Sequence, residues 1–590
     1  MKLSDYIAQF LVGQRVKHVF VVTGGCIVHV VDSVAKTGKI TYIPVQHEQA
    51  GAMAADAYAR VTGNLGVALT TSGPGATNLL TGVCCAYYDS VPTLFITGQV
   101  PSSQLKQDTG SRQIGFQETD VVSIFRSVTK YAVLVSDPTR IRYELEKAVY
   151  LARSGRPGPV LVDVCDDVQR AQIDPDALES FSPPHEEPAL GGLQRQIDQA
   201  LELMAHATRP VLILGWGVAL AGTIDQAKQL VDRLRFPVAP TWGGMWYLPY
   251  DHPCMIGSFG VSSERAGNFA VQNSDLIIAL GTRLDTHETG PRLNTFARGA
   301  KKIVVDIDPA ELNKYARYGM HVDVPICADL RDVFRLLLPR IDGVQRQDLR
   351  GWFARIADWK QRYPICLPEY HAQQGSINAY VFMDALAKEA ADDEVVVTDA
   401  GGNLTWTMQA FRVKANQRLF SAFNHSPMGY SLPAAMGAAL AAGKQVVCII
   451  GDGGLQMNIQ ELSTLVHHRL PLKIFVINNH GYGIQRQTLD TWLESRYHAI
   501  DAGSGVADPN YVKIAEAYGL RTESIGHHGE LREKIRKVLD SQGPLLCNVE
   551  VAPDQKIEPK LVFGKPIEDL APLLDREELR RNMLVEVLEK

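Results

Sequence analysis

Runs of consecutive apolar residues alternate along the chain with stretches whose apolar positions fall three and four apart. Residues 19–22, 41–45, 66–70, 93–97 and 160–164 show the first pattern and are expected to be buried strands. Residues 48–62 and 76–89 show the second and are expected to be helices, and Leu3, Ile7, Phe10 and Leu11 place an amphipathic helix ahead of them. Strand and helix alternating in this way give a parallel sheet covered on both faces. The series ends near Val168. A second runs from 191 to 340 with strands at 211–214, 276–280 and 302–306. A third runs from 376 to 552, with a helix at 376–391 and strands at 395–399, 446–450, 474–477 and 545–551.

The stretch 169–190 is rich in proline and acids, and 341–375 is mixed and charged; both read as linkers. Residues 553–590 carry Pro553, Pro559, Pro566 and Pro572, then a charged helix near 576–588, and read as a tail over the surface. The expected fold is α/β, with three doubly wound parallel-sheet domains at 1–168, 191–340 and 376–552. With 590 residues the chain is well beyond the roughly 250–300 at which a single core stops growing.

Composition narrows the function. Net charge is −6 and no long run of one sign occurs, so a basic nucleic-acid footprint is absent. Nine cysteines form no CxxC, which argues against a zinc or redox motif and for free thiols in a reducing compartment. Asp5, Gln9, Gln14, Arg15 and Lys17 interrupt the apolar positions at the start, unlike a signal peptide. No stretch approaches the roughly 20 apolar residues of a membrane span. A cytoplasmic protein acting on small molecules is expected.

The most specific chemical signal is Gly451-Asp452-Gly453-Gly454, separated by one βαβ unit from Asn478-Asn479. Both motifs fall at the carboxyl ends of strands, where open α/β sheets bind ligands. Asp and Asn oxygens together with phosphate oxygens suit Mg²⁺. The glycines let backbone approach a diphosphate, and a following helix N-terminus favours the anion. A lone Gly-Asp-Gly would be an ordinary turn; the spacing and the two strands change that reading.

This pattern resembles that of thiamine diphosphate (ThDP) enzymes, and over nearly the whole chain the sequence is similar to the acetolactate synthase-like family. The resemblance implies pyrimidine-binding, central and diphosphate-binding domains in that order. It implies that Asp452 and Asn479 bind Mg²⁺ through side chains and Gly481 through its main-chain oxygen. Glu48 matches the family's glutamate that hydrogen-bonds N1′ of the aminopyrimidine. A proton at N1′ favours the 4′-imino tautomer, which takes the C2 proton of the cofactor, so the carboxyl must share a proton with the cofactor in a dry site. Read from position alone, Glu48 is an acid at a helix start.

By the same resemblance, residues 71–78, including Pro74 and Asn78, pass the thiazolium and pyrimidine rings. Gly24-Gly25 and Phe116-Gln117-Glu118 resemble substrate-side segments, with Gly25 and Gln117 in catalytic places, and Thr23 is in a cofactor-binding place. Gly401, Gly402, Asn403, Ser426, Met428, Gly451, Gly453, Gly454, Tyr482, Gly483 and Ile484 complete the cofactor contacts. Glu48 and Asp452 meet across two subunits in this family, which implies a homodimer and commonly a homotetramer. In the central domain, composition favours a structural role without ligand, because Gly215 onward does not spell GxGxxG. The resemblance instead implies FAD, with Arg126, Gly215, Thr282, Arg283, Asp306 and Asp329 in flavin-contacting places.

The chain departs from acetohydroxyacid synthases at three points. Thr488 stands where they have a tryptophan that shapes the second-substrate pocket. Thr405 replaces a bulky residue under the cofactor, and Ser426 replaces a glycine. The expected reaction is ThDP-dependent decarboxylation of a 2-oxo acid, pyruvate first, and ligation to a second carbonyl. Thr488 favours a ketone or nucleotide-linked keto-sugar as acceptor, and the C-terminal tail resembles those of ThDP enzymes in surface-polysaccharide pathways. The alternatives are acetolactate synthesis and, from another class, a non-catalytic binding paralogue.

Overall fold

The computed structural model describes residues 1–184 and 190–588. Residues 185–189 of the expected linker and 589–590 of the expected tail lie outside the described residues.

Three parallel sheets are present. The first contains β1 (His18–Val22), β2 (Thr41–Pro44), β3 (Gly66–Thr70), β4 (Thr93–Gln99), β5 (Tyr131–Val135) and β6 (Val160–Cys165), in the order β2-β1-β3-β4-β6-β5. The second contains β7 (Pro210–Leu214), β8 (Leu276–Leu280), β9 (Lys301–Asp306) and β10 (Val324–Cys327), in the order β10-β9-β8-β7. The third contains β11 (Val395–Thr398), β12 (Arg418–Phe420), β13 (Val446–Gly451), β14 (Leu472–Asn478), β15 (Arg521–Ile525) and β16 (Leu545–Glu550), in the order β12-β11-β13-β14-β16-β15. Position for position, the first and third sheets have the same order; the second does not. Every position of β3, β4, β6, β7 and β8 is buried, as strands covered on both faces require.

Helix Glu48–Thr62 is nearly all buried because alanines fill its faces. His47 caps its start, its Nδ1 accepting from the Gln49 N–H at 3.1 Å, and Gly63 ends it in the left-handed conformation. It packs against helix Ser431–Ala442 of the third domain, where Gly437 lets the two backbones approach. Beside this contact, buried Arg60 pairs with Asp56 at 2.8 Å and with Asp89 at 2.7 Å, and Tyr430 Oη donates to Asp56 at 2.5 Å. First and third domains thus share one core within a chain.

Several expected elements differ in detail. The helix expected at 76–89 is two pieces, Pro74–Thr77 and Leu80–Tyr88. The helix at 376–391 shortens to Ala379–Glu389, capped by Asn378. The final helix is Arg576–Asn582. The stretch 341–375 is not bare linker: helix Arg350–Arg362 buries Trp352, Ile356 and Trp359 against the central domain. Nor does the first domain stop at 168, since Leu3 N–H donates to Ala171 O and Ile173 N–H to Met1 O. The tail crosses the central domain, tied by Arg265 and Asn268 to carbonyls of Leu570 and Ile567. Among the described residues no helix is long and apolar enough to cross a membrane.

Candidate active site

The strand ends of the first and third sheets carry two separate groups of candidate residues. In the first domain, Glu48 is buried at the first turn of its helix, and its Oε2 accepts from Asn78 Nδ2 at 2.9 Å. Asn78 follows the short helix that begins at Pro74. The loop ahead of that helix turns through Gly73 at φ 58°, and a Cβ there would lie 2.9 Å from the Gln117 carbonyl oxygen. Gln117 is itself in the left-handed region at φ 65°. A Cβ on Gly24 would lie 2.6 Å from the Thr71 side chain. Thr23 and Gly25 are exposed beside it, with open space around Gly25. Glu48, Pro74, Asn78, Gln117, Thr23 and Gly25 therefore gather at the carboxyl edge of one sheet. Phe116, next to Gln117, is 84% exposed.

In the third domain, Gly451 on β13 is level with Ile477 on β14, so Asp452 and Asn479 leave adjacent strands side by side. Asp452 is buried; Oδ1 accepts from the Gly453 N–H at 2.6 Å and Oδ2 from the Gly481 N–H at 2.8 Å. Burial pushes its carboxyl up to about 6. Asn479 is buried against Gly483, where any Cβ would overlap its amide. Asn403 stands over Gly451, with its Oδ1 3.1 Å from a Cβ there, and its buried Nδ2 has no partner. Gly453 abuts the Tyr482 ring and lies near Met428, and Gly454 abuts the Asp399 carboxylate. Gly401, at φ 86°, and Gly402 start the helix that carries Asn403 and buried Thr405. Ser426, at φ 48°, leads to Met428.

The arrangement fits a Mg²⁺–diphosphate group. A carboxylate, an amide oxygen and a main-chain carbonyl are hard oxygen donors, and Mg²⁺ is commonly held by one or two carboxylates with phosphates completing its shell. No group of three His, Cys, Asp or Glu that could hold a metal occurs among the described residues, so protein carboxylates alone do not form a cage. The buried Asn403 Nδ2 is a donor without a partner on the residue whose Oδ1 faces Gly451.

The crossover between β13 and β14 holds two helices, Asp452–Met457 and Glu461–His467. The break falls at buried Asn458, whose Nδ2 donates to Gly429 O at 2.8 Å. Thr488 lies on helix Gly483–Trp492, with Ile484, and that helix has no buried residue; the Thr488 hydroxyl donates to Ile484 O at 2.9 Å.

Two buried carboxyls escaped sequence reading. Asp399 accepts from the Gly429 N–H at 2.9 Å and the Ser431 N–H at 3.1 Å, holding the loop that carries Met428; burial pushes it up to about 6. Glu461 accepts from backbone next to Glu48, and burial pushes it up to about 7. Asp399, in a strand-end Asp-Ala-Gly-Gly, gave a readable signal; Glu461, an acid on a helix, gave none.

Among the described residues no hydrogen bond joins Glu48 to Asp452. The small cavity beside Asp452 is walled by third-domain residues such as Gln456, His480, Tyr482 and Asp508.

A larger cleft, about 1400 Å³ with its open mouth, lies between the first and central domains, with Phe423 and Asn424 of the third domain in its wall. Gly217 and Gly281 approach backbone to backbone in its wall, beside Gly215. Thr282, Arg283, Asp306 and Asp329 line it. Arg126 does not: it is exposed at the end of helix Val121–Phe125, away from the lining. The first domain instead contributes Asp89, Arg153 and Arg156, and Trp216 Nε1 donates to Asp89 O at 2.9 Å. Arg283 pairs with Asp285 at 3.2 Å and donates to Asn424 Oδ1. Burial, with Asp285 nearby, pushes Glu288 up to about 8 in this cleft.

Comparison with known sequences agrees with this geometry. Residues 1–124 match the N-terminal TPP binding domain of thiamine pyrophosphate enzymes, 197–337 their central domain and 399–549 their C-terminal TPP binding domain. The three domains are thus those of a ThDP enzyme. The chain is 36% identical to the acetolactate synthase of Arthrospira platensis over 568 residues, 95% of each chain. It is 34% identical to the acetolactate synthase large subunit of Cyanidium caldarium over 571 residues, 95% of this chain and 94% of the other. It is 32% identical to the acetolactate synthase isozyme 1 large subunit of Escherichia coli over 562 residues, 95% of this chain and 96% of the other. The chain belongs to the acetolactate synthase-like family of ThDP-dependent carboligases.

Proposed function

We propose that the protein decarboxylates pyruvate and ligates the two-carbon fragment to a ketone larger than pyruvate, with ThDP held through Mg²⁺ between two subunits. The observation that carries the cofactor assignment is the cradle around Asp452, with Asn479 beside it and an unpartnered amide on Asn403. ThDP supplies an acidic C2–H and an electron sink for decarboxylation. The chain's own groups do the rest. Asp452, Asn479 and the Gly481 carbonyl hold the metal. Gly451, Gly453 and Gly454 admit the diphosphate. Glu48, steadied by Asn78, holds a proton at N1′. Gln117 offers a polar group on the substrate side. Exposed Phe116 next to Gln117, and the separation of Glu48 from Asp452 within one chain, support a dimer whose sites each draw on both subunits.

Thr488 supports the larger acceptor. Its hydroxyl is bound to its own helix, so it does not reach across the pocket as a ring would. An aromatic in its place would restore about 150–250 Å² of surface. Thr488→Trp is therefore expected to suppress ligation to a bulky ketone, such as a nucleotide-activated 4-keto-sugar, more than pyruvate decarboxylation. The ratio of the two, with products identified, is the measurement. An unchanged ratio would remove Thr488 from the acceptor pocket. The names of the relatives favour a second reading, acetolactate synthesis; efficient acetolactate formation with no turnover of any larger ketone would establish it.

We further propose that the central cleft binds FAD, with Arg283 and Arg156 toward its phosphates and Asp306 and Asp329 toward its hydroxyls. No net electrons move in the proposed reaction, so the flavin would be structural. Denatured protein is expected to release a flavin with the chromatographic retention of FAD, and Arg283→Ala to retain less of it. Colourless, fully active protein prepared with excess FAD would make the cleft scaffold only.

A further inference from the structure

Helix Glu48–Thr62 belongs to the first domain, but the backbone leading into it is held by the third. Glu461 is completely buried at the start of helix Glu461–His467, nine residues after Asp452. Its Oε1 accepts two main-chain hydrogen bonds, from the Gln46 N–H at 2.9 Å and the His47 N–H at 3.1 Å. Its Oε2 accepts from Thr464 Oγ1 at 2.9 Å, which fixes the carboxyl in that orientation. Gln46 and His47 are the two residues immediately before Glu48. Their N–H groups lie ahead of the helix, where no carbonyl of its own turns is available.

We infer that Glu461 is the positioning residue for Glu48. The inference rests on the reading of Glu48 as the group at N1′. Glu48 has two determinants of position. Its carboxyl tip is held by Asn78, from its own domain. Its Cα follows from residues 46 and 47, and these hang on a carboxylate that stands on the metal-site side of the molecule. The same segment makes a second tie: Asn458 Nδ2 donates to Gly429 O at 2.8 Å and lies 3.7 Å from Met53 Sδ on the Glu48 helix. The stretch 458–461 thus sets the Glu48 helix relative to the Asp452 domain at two points. A carboxyl that must share a proton with one ring nitrogen is sensitive to small displacement; a shift of about 1 Å in a catalytic group can cost about 10²-fold in rate. Both oxygens of Glu461 are engaged by Gln46, His47 and Thr464, so it acts through Glu48.

The role separates from ordinary structural support by what moves with it. Glu461→Ala removes the acceptor for both N–H groups. Glu461→Gln keeps an amide oxygen for them and offers its NH₂ to the Thr464 hydroxyl. Glu461→Asp keeps the charge but withdraws the oxygens by one carbon. Each variant is compared with wild type in three ways. The first is deuterium exchange of the Gln46 and His47 amides in cofactor-free protein. The second is ThDP affinity at saturating Mg²⁺, and the third is C2–H exchange of bound ThDP. In the alanine and aspartate variants, amide exchange at 46–47 is expected to rise and C2–H exchange to fall at least about 10-fold, with ThDP affinity much less changed. The glutamine variant is expected to recover most of both. If the alanine variant does not fold, the aspartate variant carries the test. Wild-type C2–H exchange in a folded variant with unprotected amides overturns the inference. So does a parallel loss of affinity and exchange, which is what loosened packing alone would give. A Glu48→Gln control separates the two claims: if that variant exchanges C2–H at the wild-type rate, the assignment of Glu48 fails and this inference falls with it.

Discussion

Glu48→Gln protein loaded with ThDP and Mg²⁺ is expected to exchange the C2 proton about 10²–10⁴-fold more slowly than wild type, the usual worth of a positioned acid or base. The amide can still accept from Asn78 Nδ2, so the local fold should persist. It cannot hand a proton to N1′. Cofactor affinity should change little, because binding rests on the diphosphate and metal at the other strand edge. Exchange is read by quenching in deuterated buffer and recording the C2–H signal of released cofactor. A wild-type rate in folded, loaded protein would exclude Glu48 from tautomer control.

The second large effect concerns Asp452. Asp452→Ala removes the one anionic oxygen of the proposed metal set and leaves the Gly453 and Gly481 N–H groups without their acceptor. Mg²⁺ and ThDP affinity should fall together by at least about 100-fold, above the 10–100-fold typical of losing only an outer-shell partner. Neither single variant should turn over. Co-expressed, they should. A dimer of one Glu48→Gln and one Asp452→Ala chain combines the intact Glu48 of one subunit with the intact Asp452 of the other. Random pairing makes about half the dimers mixed, each with one good site of two, so about a quarter of wild-type activity is expected for a symmetric two-chain site. A site complete within one chain would give no recovery, and that result would end the two-subunit reading.

The strands that sequence reading passed over all lie at sheet edges, although two other edge strands, β2 and β7, were found. Central strands such as β3, β4 and β8 are buried at every position and so appear as unbroken apolar runs. β5, β10, β12 and β15 are all sheet edges. Arg521–Ile525 is exposed or half-buried at four positions and Val324–Cys327 alternates, so neither has a run to find. The same logic applies to the site. Asp452 and Asn479 were legible because a short local motif sits where an apolar run stops. Arg153 and Arg156 were not, because they reach the central cleft from another domain, from the end of helix Ile141–Arg153 and the loop after it. The segment 341–375 read as linker because its helix Arg350–Arg362 buries only Trp352, Ile356 and Trp359 among charges. Thr405 and Thr488 were singled out by resemblance alone.

The matching strand order of the first and third sheets has a consequence for how the site is built. Strand by strand, β1 corresponds to β11, β2 to β12, β3 to β13 and β4 to β14. The candidate segments then fall into counterparts. Thr23–Gly25 after β1 answers Gly401–Asn403 after β11, and Pro74–Asn78 after β3 answers Asp452–Gly454 after β13. Gln117, past β4, answers Asn479 and Gly481, past β14. Helix Glu48–Thr62 follows β2 and helix Ser431–Ala442 follows β12, and these two equivalent helices are the ones that pack together. The chain meets itself as two copies of a homodimer meet across an isologous interface. The same strand order thus serves twice, once to carry the carboxyl proposed to trade protons and once to carry the carboxylate proposed to hold a cation, so that one asymmetric ligand would be met by two sheet edges of one pattern.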